Sequence, residues 1–103
     1  MAELVWTPRA YADLEAIGAY YAQSTPGYAE LLVRKLMHAA ERLKAFPASG
    51  RVVPEIGDEN MREVIHRNYR IIYMHVPEDD KVEVLTVFHS SHQFGALPGE
   101  TDS

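Results

Sequence analysis

Residues 61–92 read MREVIHRNYRIIYMHVPEDDKVEVLTVFHSSH, and the way this stretch divides decides the fold. Three runs rich in β-branched and aromatic residues, 61–67, 68–76 and 81–92, are separated by turn-forming residues, the pattern of strands joined by short reversals. Pro77, Glu78, Asp79 and Asp80 make a polar connection whose proline and aspartates favour reversal over a continued strand. The stretch is predicted to be a three-stranded antiparallel meander, closed by a hairpin over residues 69–88.

Side chains alternate between the two faces of a strand, and here neither face is polar. Tyr69, Ile71 and Tyr73 point one way, while Ile72, Met74 and Val76 point the other. In the last strand, Val82, Val84 and Phe88 fall on one side, and Leu85, Val87 and His89 on the other. Strands that are apolar on both faces belong inside a sheet and want cover on both.

Working outward, residues 3–6 form a short apolar run that reads as an edge strand borrowing a neighbour. Thr7 and Pro8 mark a helix start, the threonine capping free amides and the proline losing no hydrogen bond at the first helical position. Tyr11, Leu14, Ile17 and Tyr21 then recur at helical spacing, and this first helix runs to about Ala22. After the break at Ser24, Thr25, Pro26 and Gly27, a second helix is predicted over about 28–45 with Leu32, Leu36, Ala39, Leu43 and Phe46 as its apolar stripe. Residues 51–60, with Pro54 and Gly57, read as a connector. The expected fold is α+β, in the order β-α-α-β-β-β, with a helical hairpin on one face of a four-stranded sheet. Residues 1–92 make one domain, and 93–103 a C-terminal tail with little reason to order unless bound.

That count of layers leaves the second sheet face without cover. The tail, another copy of the chain or a different protein should shield it, since exposed apolar surface of this kind marks an interaction site.

Composition excludes several classes. No apolar run approaches the roughly 20 residues of a membrane helix, and the start MAELVWTPRA lacks a secretory pattern; a cytoplasmic protein without membrane contact is expected. There is no cysteine, hence no disulfide or thiol chemistry. A net charge of −5 opposes diffuse attraction to nucleic acid, so no direct sequence-specific nucleic-acid binding is expected. His89 and His92, three apart, and His66 and His75 in neighbouring strands do not amount to a zinc ligand set. No glycine-rich phosphate loop occurs, and neither metal nor cofactor is called for.

A short N-terminal strand, a Thr-Pro-initiated helix carrying ADLEAIGAYY, a second helix ending in LKAFPASGR, and then YRIIY and VEVLTVFH together resemble the RelE/ParE superfamily of bacterial toxins. The likeness spans about residues 4–92 and is greatest to the ParE branch of plasmid-stabilisation proteins. It implies the toxin half of a type II toxin-antitoxin pair, neutralised in a hetero-oligomer by a cognate antitoxin that wraps the toxin. It also offers two activities. ParE-like members are associated with poisoning DNA gyrase, whereas RelE-like members cut mRNA on the ribosome. A degenerate member would act only as antitoxin partner and co-regulator.

Cleavage by an RNA 2′-hydroxyl needs a cation for the phosphate, with a proton donor and acceptor in reach. The resemblance makes Arg62, Arg70 and His89 the candidates. Arg70 could instead pair with Glu63 or Glu83 across strands, and His89 could be a hydrogen-bonded histidine at a strand end. Many ParE-like chains end this strand with His-x-x-Arg, whereas here His92 stands at the arginine position. For a surface that binds antitoxin or target, the candidates are Arg62, Arg70, Tyr73, Met74, Leu85, Val87, His89 and His92. The negative charge favours the gyrase-directed reading over the ribosomal one.

Overall fold

The computed structural model of the protein describes residues 1–92; the expected tail, 93–103, lies outside the described residues. The elements are β1 (Glu3–Trp6), α1 (Pro8–Ala22), α2 (Pro26–Glu41) with a 3-10 turn over Arg42–Lys44, β2 (Arg51–Val52), β3 (Met61–His66), β4 (Tyr69–Val76) and β5 (Lys81–His89). They form one sheet in the order β1-β5-β4-β3-β2, with α1 and α2 packed on one face. The meander appears as expected. The sheet has five strands rather than four, because Arg51 and Val52, expected in a connector, pair antiparallel with Glu63 and Arg62. It is also mixed, since β1 runs parallel to β5.

Thr7 couples β1, α1 and β5. Its hydroxyl accepts from the Ala10 amide at 3.2 Å and donates to the Val84 carbonyl at 2.8 Å, and its own amide also donates to Val84. One side chain therefore caps the helix and fixes where the helix leaves the sheet. The pairing of β1 stops at Val84. Beyond that point Asp13 of α1 takes over the strand edge, accepting from the Val87 amide at 3.0 Å and from the Thr86 hydroxyl.

Between β4 and β5 the register slips by one residue. Ile72 faces Thr86 but Tyr73 faces Val84, so Leu85 is an extra residue in a bulge. A bulge reverses the alternation on the strand that carries it. Val87 thus joins Val82 and Val84 beneath the helices, and Phe88 turns to the opposite face with Leu85. The expected grouping of Val82 and Val84 with Phe88 is corrected accordingly.

Under the helices, Ala10, Leu14, Leu32, Leu36, Ala40 and Leu43 pack on Ile71, Tyr73, Val82 and Val84. Leu36, Ala40 and Leu43 are fully buried, but Tyr11 and Phe46, assigned to the apolar stripes, are exposed. Phe46 misses the core because the α-helix tightens at Arg42 and its phase changes. In the first helix Ala10 takes the contact position, since a small residue lets the helix approach the sheet.

The second face is not left wholly bare. Residues 53–60 cross it as a strap, with Val53 and Ile56 packed on Met61 and Ile72. The Val53 amide donates to Met61, and the Val53 carbonyl accepts from Ile56 and Gly57, with Gly57 in the left-handed region at φ +77°. Cover expected from the tail or another molecule is supplied in part by this strap. Beside it, Met74, Leu85 and Phe88 are half-buried and Ile65 is 48% exposed.

Candidate functional site

The second face is centred on four charges. Arg70 and Glu63 alternate with apolar residues on β4 and β3, and the pleat aims both side chains at this face. Arg70 Nε donates to Glu63 Oε1 at 2.6 Å, and Nη1 and Nη2 donate to the two oxygens of Glu55 at 2.8 Å each. The other Glu63 oxygen accepts from Arg51 Nε on β2. The guanidinium carbon also lies over the Phe88 ring, 5.4 Å from its centroid, within cation–π range.

Burial makes these pairs consequential. The Glu63 side chain is fully buried and that of Arg70 is 10% exposed, whereas Glu55 and Arg51 reach solvent. Two buried opposite charges persist only with well-made hydrogen bonds, and both have them. The fork of hydrogen bonds from Arg70 holds the Glu55 carboxyl at about 2, well below its ordinary 4.5. The bonds to Glu55 and then to Glu63 raise Arg70 above its ordinary value. Among the described residues, two arginines against two glutamates leave these pairs formally neutral.

His89 lies elsewhere. It follows the bulge on β5, opposite Tyr69 on the helical side of the sheet, and its ring meets Tyr69 edge-on at 5.2 Å. Its Nδ1 accepts from the Ser91 amide at 3.1 Å and bonds the Ser91 hydroxyl at 2.7 Å, which makes the ring part of a turn. The His92 ring lies 5.9 Å from that of His89, tilted by 50°. Together with Tyr20, Tyr21, Tyr69 and Asp13 these rings line an open groove of about 570 Å3. The Tyr69 and Tyr21 hydroxyls meet at 3.4 Å, and burial pushes the Tyr69 phenol up.

Arg62 is on the helical side of β3, opposite Tyr73, and donates to the Gly50 carbonyl at 2.9 Å. The three nuclease candidates therefore do not converge. Arg62 and His89 sit beside β4 residues four positions apart, roughly 13 Å along a strand, and Arg70 points out of the other face. Acid-base catalysis on one phosphodiester requires groups within about 3 Å of the reacting atoms.

Of the partner-surface candidates, Met74, Leu85, His89, His92 and Arg62 keep solvent contact. Tyr73 and Val87 do not: Tyr73 is fully buried and Val87 is 2% exposed, so both belong to packing under the helices. Arg70 pairs with Glu63 as one reading had it, but its second acid is Glu55, not Glu83. Glu55, Arg51 and Asp13 were missed. Glu55 and Arg51 sit in the expected connector, and Asp13 lies within ADLEAIGAYY with no role assigned to it; Asp13 meets residues more than 70 positions away.

Residues 4–94 match the family described as ParE toxin of the type II toxin-antitoxin system parDE. The chain is 33% identical to the toxin RelE2 of Caulobacter vibrioides over 91 residues, covering 88% of this chain and 98% of that protein. Its fold resembles a chain of the chromosomal ParDE toxin-antitoxin system of P. aeruginosa, with a TM-score of 0.72 at 22% identity, covering 86% of this chain and 96% of that one. It also resembles the isolated E. coli RelE toxin, with a TM-score of 0.59 at 18% identity, covering 90% and 88%.

Proposed function

The chain belongs to the ParE toxin family of type II toxin-antitoxin systems, and from that premise we propose that it acts by binding a protein, DNA gyrase or a related topoisomerase, rather than by cutting RNA. The observation that carries this reading is the placement of the cations a nuclease would need. Arg70 is engaged by two carboxylates on one sheet face, while Arg62 and His89 are well separated on the other. A net charge of −5 points the same way, because docking among ribosomal RNA gains from a positive field. Binding to a protein asks only for shape and apolar contact, which the exposed Tyr20, Tyr28, Leu31 and Ile65 can offer.

A cognate antitoxin polypeptide holds the toxin inactive in the cytoplasm, in a hetero-oligomer. Support comes from the fold likeness to proteins solved as parts of toxin-antitoxin systems. The test is to induce the chain alone in bacteria and to follow growth, transcript integrity and, with purified chain, gyrase supercoiling. Growth arrest with intact transcripts and inhibited supercoiling is expected. Transcripts cut on ribosomes with gyrase unaffected would establish the nuclease instead, and normal growth would point to a non-toxic co-regulator.

A further inference from the structure

The chain is acidic as a whole, yet its unbalanced cations are gathered in one place. Of ten lysines and arginines, Arg9, Arg34, Lys44, Arg51, Arg70 and Lys81 are paired with carboxylates. Lys35, Arg42, Arg62 and Arg67 make no ion pair among the described residues, and all four lie along the flank where α2 passes β3 and the turn that follows it. Charge effects show which of them are neighbours. Burial first, then Arg67 and Lys35, hold the His66 imidazole below its ordinary value. At the other end of β3, burial raises the Tyr73 phenol while the bond to Gly50, Arg62 and Arg42 oppose the rise.

The acids of α2 avoid this flank. Glu30 and Arg34 line the groove toward α1, and Glu41, seven residues beyond Arg34, shares that side of the helix. The flank toward β3 reads Leu31, Lys35, His38 and Arg42, at steps of four, three and four, the spacing of one continuous helical stripe. All four are exposed, and the stripe is about 16 Å long. Phe46, 65% exposed, stands beyond Arg42, so apolar residues bracket the cations. The sheet also ends early here. β2 pairs only with Glu63 and Arg62, which leaves the outer edge of β3 from Val64 to His66 without a strand partner among the described residues.

We infer that the flank between α2 and β3 is a docking surface for an acidic amphipathic helix of a partner protein, laid beside α2 as a third member of the helical layer. Its Glu and Asp side chains face Lys35, Arg42, Arg62 and Arg67, and its apolar side chains meet Leu31 and Phe46. A stripe of this period is how one helix receives another. The apolar residues at both ends favour a polypeptide over a phosphate backbone, which has nothing to set against them. For the kind of partner this rests on the protein-binding reading above. Docking on the flank is measured on the purified chain whether or not gyrase is inhibited, so the two can fail separately.

The experiment titrates the full-length chain with a helical peptide carrying Glu at the places that face 35, 38 and 42 and Leu at those that face 31 and 46, following backbone amide NMR signals. Shifts confined to α2, the 3-10 turn and residues 62–67 are expected, with the matching Gln peptide inert. Lys35→Glu together with Arg42→Glu should bind about 10- to 100-fold more weakly. Both positions are exposed and free of ion pairs among the described residues, and the same spectra report that the fold is kept. Arg34→Glu changes the net charge on the opposite flank and should leave the affinity within about twofold of wild type. Amide signals that stay still at about millimolar peptide, or equal weakening by Arg34→Glu and Lys35→Glu, would overturn the docking surface. Tighter binding of a thymidine oligonucleotide of the same charge would overturn the assignment of a polypeptide partner.

Discussion

The Tyr73 hydroxyl accepts the Gly50 amide at 3.0 Å while donating to the Pro47 carbonyl at 2.6 Å, so one buried ring fixes the chain as it leaves the helical hairpin and enters β2. The approach is close. A Cβ on Gly50 would lie 2.5 Å from the Glu63 carbonyl oxygen and 2.7 Å from the Tyr73 hydroxyl. Position 50 is thus closed to any side chain, and β2 is set against β3 by this contact.

Tyr73→Phe keeps the packing and leaves the Gly50 amide and the Pro47 carbonyl without that partner. A loss of about 1–3 kcal/mol is expected from urea denaturation. Gly50→Ala presses a methyl against backbone, and a loss of about 1–3 kcal/mol is expected there as well. Alanine at 50 without cost would show that the strap and β2 shift freely.

Removing one side of the buried ion pair should cost more than removing both. Glu63→Ala removes the buried acceptor of Arg70 Nε and of Arg51 Nε, leaving Arg70 its bonds to Glu55, and about 3–5 kcal/mol is expected to be lost. A double variant, Glu63→Leu with Arg70→Met, should recover much of that. Any loss of toxicity in Arg70→Ala must therefore be read beside its melting curve, since the same change unsettles the fold.

Glu55 gives a pH signature. Its folded value of about 2 lies below the ordinary 4.5, so its stabilising share is complete above about pH 4.5 and fades as the pH falls toward 2. Wild type should lose more of its urea midpoint than Glu55→Gln between about pH 5 and pH 3. With much of the side chain in solvent, the difference is modest. Parallel pH profiles for the two proteins would mean that Arg70 does not hold Glu55 in solution.

Asp13 stands in for a strand at the edge of β5. Asp13→Ala should cost about 1–3 kcal/mol by exposing the Val87 amide and the Thr86 hydroxyl to loss of their acceptor. Hydrogen exchange would show it as faster exchange at Val87, with little change at Ile71 inside the sheet.

The Thr-Pro step at 7–8 was enough to place α1, because capping is a contact between residues three apart. The alternation in YRIIYMHV was enough to place β4 and to bury Tyr73 and Ile72 on opposite faces, because the pleat has a fixed period. Family membership was legible too, since the order and spacing of such elements survive in one dimension. The side of the sheet taken by Phe88 was not. It depends on the bulge at Leu85, which lies beside the bond between Thr7 and Val84, residues 77 apart in the chain.

The candidate site divides in the same way. Arg70 and Glu63 could be paired from the strands that carry them, because hairpin neighbours are local. Glu55 could not be found, because the residues 51–60 look like any polar connector until the sheet exists to receive Val53 and Ile56. Local periodicity and capping, which act over a few residues, were settled by the sequence alone. The choice of partner for each buried charge, and the dispersal of Arg62, Arg70 and His89, came from tertiary structure, because burial and salt-bridge geometry exist only once distant segments share one face.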